Sequence, residues 1–155
     1  MTDIDPGALA EQVGTIAKRR NLTVAVAESL TGGSLTAALA AASDASQWLR
    51  GGLVAYSSDV KHAVLGVRPG PVVSEEAALD LAVGITKLLG GDLGLAVTGV
   101  GGPAPQDDQP PGTVWAGVHH AGTTDAHLLQ LEGTPEEIVD AAVVAVLQLA
   151  LDRLR

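Results

Sequence analysis

The sequence predicts a three-layer α/β/α sandwich around a mixed, mostly parallel sheet. Apolar stretches typical of strands alternate with helical segments along most of the chain, which is the pattern of a parallel sheet covered by helices on both faces. Two later strands, "GTVWAGVHH" and "AHLLQLEG", are joined by the short turn "AGTTD" and are expected to be antiparallel. The 155 residues show no repeat and no linker, so we expect a single domain over residues 1–155.

The first strand and its neighbouring helices are marked by capping residues and by a glycine pair. Asp5-Pro6 is expected to open a helix that runs to about Arg19, since an aspartate cap followed by proline is a typical helix start. The β-branched and apolar residues 22–28 then predict a strand. After Gly32-Gly33, the alanine-leucine segment "SLTAALAAAS" predicts a second helix.

The later elements follow the same signals, with a serine or threonine cap before a helix and glycine after it. They are expected, in order, as a strand over Gly52–Ser57, a short helix capped by Ser58 and Asp59 that ends at Gly66, a helix from Ser74 to Gly90-Gly91, a strand over 93–98, the two antiparallel strands, and a last helix from Thr134-Pro135. The proline-rich segment "GVGGPAPQDDQPPG" joins two strands and is expected to form a loop over one edge of the sheet.

Charge and composition exclude several classes of function. The formal net charge of -9 would repel phosphates, so no nucleic-acid partner is expected. Since the chain has no cysteine, disulfides and thiolate chemistry are excluded, and covalent catalysis would need oxygen or nitrogen groups. The N-terminal residues lack the pattern of a signal peptide, and no apolar run approaches the roughly 20 residues of a membrane span. We therefore expect a cytoplasmic protein with no membrane partner, which acts on a small metabolite or binds a protein partner.

Three loops are expected to meet at one edge of the sheet, because the carboxyl ends of parallel strands lie together. They follow the first three strands and comprise residues 28–33, 56–61 and 98–103. Ser29 is the first candidate, since it leaves its strand where the chain turns sharply and the amides of the next helix would point at the same space. That arrangement can hold an oxyanion. The alternative is that Ser29 or Thr31 only caps the helix.

Lys61 is the candidate base for Ser29, because the four histidines are poorly placed for a conventional triad. A lysine can take this role where burial or a neighbouring cation lowers its pKa and supplies a neutral amine. The alternative is a solvated lysine in the first turn of its helix. Tyr56, the only tyrosine, either orients Lys61 or relays a proton, or is a core residue at a strand end with a wet tip.

The third loop, "TGVGGP", brings a hydroxyl and several amides together from Thr98 to Pro103, where a glycine-rich backbone can approach an anion. Farther along, Asp107 and Asp108 are candidates for a divalent metal, although two neighbouring aspartates in a loop are more commonly just solvated. No histidine or cysteine cluster supports a metal site. We therefore expect neither a metal nor another cofactor.

Five segments together resemble a known family. "AESLTGG", "GGLVAYSSDVKHAVLGV", "VSEEAALDLAVG", "AVTGVGGP" and "PPGTVWAGV" occur in the order and approximate spacing of the CinA C-terminal domain, also called the nicotinamide mononucleotide deamidase family. The match covers roughly residues 8 to 152, and five motifs in register are far more specific than any one. The resemblance implies an α/β/α fold, a homo-oligomer, and hydrolysis of nicotinamide mononucleotide to nicotinate mononucleotide and ammonia.

The resemblance also implies roles for individual residues. Ser29 would be the nucleophile, and Lys61 would take its proton and later protonate the departing ammonia, with Tyr56 beside them in the catalytic group. The amides of Thr31 and Gly32 would hold the oxyanion, while Glu28 would either fix the loop or contact substrate. The substrate-binding residues would be Glu28, Thr31, Gly32, Gly33, Thr98, Gly99 and Gly102.

Two departures from the family's pattern concern the substrate phosphate. Members commonly carry a lysine before the "P-x-G-T-V" strand and a "G-D-R" triplet before the last helix, where this chain has Gln109 and Gly133-Thr134-Pro135. Each lost charge-assisted contact would be worth about 1.5 to 3 kcal/mol. Either Arg50 or Arg68 compensates, or the substrate differs, or the chain is an inactive module that binds a nucleotide or a partner. A purely structural oligomerisation domain is a third interpretation.

Overall fold

The computed structural model describes residues 4–155, which form a five-stranded sheet covered by helices on both faces. The predicted three-layer α/β/α sandwich is confirmed. The helices are α1 (Pro6–Arg20), α2 (Ser34–Ala40), α3 (Ser58–Leu65), α4 (Glu75–Leu89) and α5 (Pro135–Leu154). The strands are β1 (Val24–Glu28), β2 (Leu49–Val54), β3 (Leu93–Gly99), β4 (Thr113–His120) and β5 (Thr123–Gln130).

The sheet has the strand order β2-β1-β3-β4-β5. β1 is parallel to both β2 and β3, whereas β4 is antiparallel to both β3 and β5. All strands except β4 therefore point the same way, as expected for a mixed, mostly parallel sheet. The carboxyl ends of β1, β2 and β3 consequently lie at one edge of the sheet, beside the start of β4 and the end of β5.

One face of the sheet is covered by α1, α2 and α5, whose apolar side chains form the larger of two buried clusters. Leucine, valine and alanine supply most of this cluster, and Trp48, which is 1% exposed, is its largest side chain. Small apolar side chains allow helices to lie close to a sheet at the packing density of a protein interior. The low aromatic content of the sequence is therefore compatible with a well-filled core.

The opposite face is covered by α3 and α4, over a smaller cluster of alanine, leucine, valine and isoleucine side chains. α4 contacts β1, β3, β4 and β5, and α3 packs mainly against α4. The position of α3, and of the lysine that it carries, therefore depends on α4.

The predicted helix starts are confirmed at three capping residues. The Asp5 carboxylate accepts a hydrogen bond from the Gly7 amide, and the Ser74 hydroxyl accepts one from the first turn of α4. Thr134 forms a capping box with Glu137, in which each side chain bonds the other's backbone amide. The apolar C-terminal segment thus begins at the Thr134 cap and packs against the sheet as α5. Among residues 4–155, no helix is both long enough and apolar enough to cross a membrane.

Two predicted boundaries are wrong by about three residues. The second strand spans Leu49–Val54 rather than Gly52–Ser57, because Ser57 leaves the sheet and its hydroxyl accepts a hydrogen bond from the α3 backbone. The cap of α3 is therefore Ser57 and not Ser58-Asp59. β5 likewise begins early, directly after Ala121-Gly122, where φ is positive at both positions, as a two-residue hairpin turn requires.

Candidate active site

The three predicted loops converge at the carboxyl edge of the sheet around a pocket of about 360 Å³. β1 and β2 end at the same level, because Glu28 pairs with Val54, and β3 continues beside β1. Four of the predicted site residues line the pocket, namely Ser29, Tyr56, Gly99 and Gly102. A larger cavity of about 700 Å³ lies between α1, α2 and α5 and contains none of the predicted site residues.

The Glu28 carboxylate organises the turn that carries the serine. It is 1% exposed, and its Oε1 atom accepts hydrogen bonds from the Thr31 hydroxyl at 2.6 Å and from the Gly33 and Leu35 amides at 3.1 and 3.0 Å. Its Oε2 atom accepts from the amide and the hydroxyl of Thr36 at 2.7 and 2.5 Å. A carboxylate at the start of α2 also interacts favourably with the helix dipole. Both oxygens of Glu28 are thus used to fix the loop.

Ser29 lies directly beyond β1, is 5% exposed, and lines the pocket. The chain then turns through Gly32 and Gly33, whose φ angles of 59° and 108° are in the region that favours glycine. The alternative of a simple helix cap is wrong for both hydroxyls, because α2 begins at Ser34 and the Thr31 hydroxyl donates to Glu28. The Gly32 amide donates to the carbonyl oxygen of Ser29 at 3.1 Å. Glu28, and not a hydroxyl, caps this helix.

Lys61 is buried, with 1% of its surface exposed. Its amine donates to the backbone carbonyl of Tyr56 at 3.1 Å, rather than to Ser29. Burial lowers the pKa of Lys61 from its ordinary value of 10.5, and the charge of Asp107 acts in the opposite direction. The alternative of a solvated lysine is therefore wrong. The amine is hydrogen-bonded to the Tyr56 backbone, and its pKa is shifted in the direction that a lysine base requires.

Tyr56 lies on the pocket wall, whereas Thr98 is buried and does not line the pocket. The Tyr56 side chain is 73% exposed and lines the pocket, so the alternative of a core residue at a strand end is wrong. Thr98 is fully buried, and its hydroxyl donates to the carbonyl oxygen of Val72 at 2.7 Å. Thr98 therefore anchors the chain behind the pocket, while Gly99 and Gly102 lie on the pocket wall.

Asp107, which the sequence analysis considered as a metal ligand or a solvated acid, bonds to a distant segment of backbone in the structure. Its Oδ2 atom accepts hydrogen bonds from the amides of Val72 and Val73 at 2.9 and 3.1 Å. Within residues 4–155, no three acidic or histidine side chains form a cluster that could hold a metal ion. The adjacent aspartates marked this position in the sequence. The binding partner of Asp107, the backbone of Val72 and Val73, lies more than thirty residues away and could not be identified from the sequence.

Arg50 and Arg68, the two arginines considered for phosphate binding, lie away from the pocket wall. Arg50 donates to the carbonyl oxygen of Leu89, and Arg68 pairs with Asp80 at 2.9 Å. Among residues 4–155, no lysine or arginine lines the pocket. The proposed compensation by Arg50 or Arg68 is therefore not supported by their positions.

The last helix contributes to the pocket wall, although the sequence analysis connected only the segment Gly133-Thr134-Pro135 with the substrate phosphate and predicted no site residue within α5. Pro135 and Val139 of α5 line the pocket together with residues of the glycine-rich loop, and so does Leu30, which follows Ser29. The end of β5 lies at the same edge as the end of β3, through the pairing of both strands with β4. That arrangement brings α5 to the site, and it follows from the strand order rather than from any motif.

The fold and the pocket define an α/β/α protein with a polar site formed by loops at the carboxyl edge of its sheet. The sequence matches the CinA C-terminal domain family over residues 7–154. The chain therefore belongs to the CinA C-terminal domain family.

Individual relatives agree with this assignment. The chain is 41% identical over 136 residues to a CinA-like protein from Frankia casuarinae, a match that covers 84% of this chain and 31% of the relative. The chain spans about a third of the length of the curated relatives that it matches.

Solved structures agree over the whole fold. A competence-damaged protein (CinA) superfamily protein from Klebsiella pneumoniae has a TM-score of 0.93 at 30% identity, covering 97% of this chain and 98% of that one. A CinA superfamily protein from Enterobacter cloacae has a TM-score of 0.96 at 27% identity, covering 100% and 95%.

Proposed function

We propose that the chain is an amidohydrolase that converts nicotinamide mononucleotide to nicotinate mononucleotide and ammonia. The observation that carries the proposal is the combination of Ser29, which lines a pocket at the end of β1, with Lys61, a buried lysine whose pKa is lowered. Amide hydrolysis needs an activated nucleophile, a donor for the oxyanion and an acid for the leaving nitrogen. We assign the first role to Ser29, the second to a backbone amide of the turn that follows it, and the third to Lys61.

In the proposed mechanism, the Ser29 hydroxyl oxygen attacks the carboxamide carbon and Lys61 receives the hydroxyl proton. The tetrahedral intermediate expels ammonia, which takes a proton from the Lys61 ammonium, and an ester of Ser29 remains. Water then attacks this ester while Lys61 accepts a proton from it. The second tetrahedral intermediate releases nicotinate mononucleotide, and Lys61 returns the proton to the Ser29 oxygen, which restores the serine and the neutral amine. The Lys61 amine must reach the reacting atoms from its position on the Tyr56 carbonyl, directly or through water.

We assign stabilisation of the oxyanion to the Thr31 amide. The Gly32 amide already donates to the Ser29 carbonyl, and the Gly33 amide donates to Glu28. The Glu28 carboxylate fixes this turn and keeps it in one conformation before substrate arrives, which is the condition under which backbone donors stabilise a developing charge most effectively.

A second candidate function is a binding module that does not hydrolyse its ligand. The observation that favours it is the lack of a lysine or arginine on the pocket wall within residues 4–155. Calorimetry with nicotinamide mononucleotide, together with a product assay, separates the two candidates, since binding without release of ammonia is expected only for the module.

The test is an assay of purified protein with nicotinamide mononucleotide, in which ammonia and nicotinate mononucleotide are both quantified. We expect turnover by the native chain and a loss of roughly 1000-fold or more in Ser29→Ala, because removing a nucleophile removes the covalent route. Ser34→Ala is the matched control, since Ser34 is exposed and lies outside this pocket. No product from the native chain at high protein concentration would contradict the proposal, as would full activity in Ser29→Ala.

A further inference from the structure

The loop between β3 and β4 contains a side-chain contact, made by Asp107, that the proposed mechanism does not use. In this loop, Gln106 and Gln109 exchange backbone hydrogen bonds of 3.1 and 2.8 Å. Between them, Asp107 and Asp108 have φ angles of 50° and 61°. This is the geometry of a two-residue turn with both central residues left-handed, which aspartate tolerates better than most residues. The turn holds Asp107 against Val72–Val73.

Both ends of the pocket-lining loop are anchored to the same short segment of chain. At one end, the Thr98 hydroxyl donates to the carbonyl oxygen of Val72 at 2.7 Å. At the other end, the Asp107 carboxylate accepts from the amides of Val72 and Val73. Val72 and Val73 are themselves buried, with 2% and 4% of their surface exposed. Residues 99–106, which include much of the pocket wall, are therefore closed at both ends against a buried support.

We propose that Asp107 is a positioning residue of the site, which closes the loop 99–106 against Val72–Val73 and provides the negative charge that acts on the Lys61 amine. The effect of Asp107 on catalysis rests on the proposed function, because Asp107 would act through Lys61. The closure of the loop by Asp107 does not depend on the proposed function. The two roles are carried by the same carboxylate, since the hydrogen bonds to the two amides fix where its charge lies.

Several charged residues other than Asp107 lie on the helix that carries Lys61 and on the helix packed against it. α3 and the helix packed against it, α4, carry a group of titratable or charged residues: Asp59, His62, Glu75, Glu76, Asp80 and Lys87. Asp80 is paired with Arg68. The negative charge of Asp107, which the two amide bonds hold in place, raises the pKa of Lys61 against the larger and opposite effect of burial.

Two substitutions separate the charge from the hydrogen bonds. Asp107→Asn removes the charge but keeps an oxygen that can accept from the two amides, whereas Asp107→Ala removes both. Asp108→Asn is the matched control, because Asp108 occupies the neighbouring turn position with the same sign of φ. Each variant is compared with the native chain by its amide spectrum, which reports whether the fold is retained.

The first measurement is the titration of Lys61 by NMR with carbon-labelled lysine. The chain contains three lysines, Lys18, Lys61 and Lys87, so the spectrum has three signals, and that of Lys61 is the one missing in Lys61→Met. Removing a nearby negative charge disfavours the protonated amine. We therefore expect the midpoint of the Lys61 titration to fall in Asp107→Asn and to stay at the native value in Asp108→Asn. An equal midpoint in all three proteins would overturn the proposal.

The second measurement is hydrogen exchange at the amides of Val72 and Val73. We expect exchange to accelerate about tenfold in Asp107→Ala, corresponding to the loss of roughly one hydrogen bond to a charged acceptor, and to change little in Asp108→Asn. Unchanged protection of both amides in Asp107→Ala would also overturn the proposal.

The third measurement uses the amidase assay, if the native chain turns over. The acidic limb of the profile of kcat/KM against pH is expected to move to lower pH in Asp107→Asn, because the free enzyme then holds a neutral Lys61 at lower pH. A limb that stays at the native position while Asp107→Asn retains activity would contradict the action through Lys61. A native chain without turnover contradicts the proposed function, while the NMR and exchange measurements still decide the role of Asp107.

Discussion

At the level of a single residue, the burial of Lys61 favours its use as a base but costs stability. It is 1% exposed, and burial lowers its pKa from the ordinary value of 10.5. Below the lowered pKa the folded chain must hold a desolvated ammonium, which costs free energy that the unfolded chain does not have to supply. The lysine that suits the site as a base is therefore expected to lower the stability of the fold at neutral pH.

We predict that Lys61→Met stabilises the fold and abolishes turnover. Methionine fills a similar volume without a charge, so the free energy of unfolding should rise by about 1 kcal/mol near neutral pH, while kcat/KM should fall about 100-fold or more. The cost in the native chain develops as the pH falls from 10.5 towards the lowered pKa and is complete below that pKa. The gain from Lys61→Met should therefore be present at neutral pH, shrink as the pH rises from the lowered pKa towards 10.5, and be absent above pH 10.5.

Denaturant unfolding at neutral and alkaline pH measures this gain. Lys87→Met is the matched control, because Lys87 lies exposed in the last turn of α4, and it should change neither stability nor turnover appreciably. A less stable Lys61→Met at every pH would show that the Lys61 amine contributes more through its bond to Tyr56 than it costs through burial.

At the scale of elements, the position of α3 is set by its contact with α4. Gly84 lies in the middle of α4, and a Cβ atom at this position would overlap the backbone carbonyl of Leu65, the last residue of α3. Backbone cannot move aside as a flexible side chain can. The missing side chain at Gly84 therefore lets the two helices approach, and through α3 it fixes the position of Lys61.

Gly84→Ala is expected to destabilise the fold by about 1 to 3 kcal/mol through this overlap. The expected sign is informative, because replacing glycine by alanine inside a helix normally stabilises by roughly 0.5 to 1 kcal/mol. Urea unfolding gives the change in free energy, and Gly7→Ala in the first turn of α1 is the control, since its nearest neighbour is the flexible Asp5 carboxylate. A stabilised Gly84→Ala would mean that α3 and α4 separate without cost.

The element boundaries show how far local signals determine structure. Asp5, Ser74 and Thr134 were identified from the sequence as caps, and each caps its helix in the structure, since a cap depends on residues within one turn of itself. The start of α2 departs from this rule. Its cap is the carboxylate of Glu28, which belongs to the preceding strand, so no residue at the helix start predicts it.

At the scale of the whole molecule, the two buried clusters lie on opposite faces of the same sheet. The residues of β1 and β3 alternate between the two clusters, with Val24 and Val26 in one and Ala25 and Ala27 in the other. Loss of either helical layer would expose the apolar face of every strand that it covers. The single domain expected from the sequence should therefore unfold as one cooperative unit.

We predict that urea unfolding of the chain is two-state. Because the chain has a second tryptophan at position 115, the experiment uses Trp115→Phe. The fluorescence of Trp48 then reports on the cluster beneath α1, α2 and α5, and far-UV circular dichroism reports on helices from both layers. The two probes should give the same midpoint and slope. Separate transitions, in which part of the helical signal is lost before the Trp48 signal changes, would show that the α3–α4 layer opens independently.

The sequence by itself determined the alternation of strands and helices, the caps of three helices and the serine turn at the end of the first strand, because these depend on residues that are close along the chain. Only the tertiary structure decided that Lys61 is buried, that Glu28 is fully used in holding α2, and that Asp107 reaches Val72 and Val73. These features depend on side chains and amides that meet across long sequence separations. Burial and the sharing of hydrogen bonds are properties of the packed chain, and no local pattern encodes them.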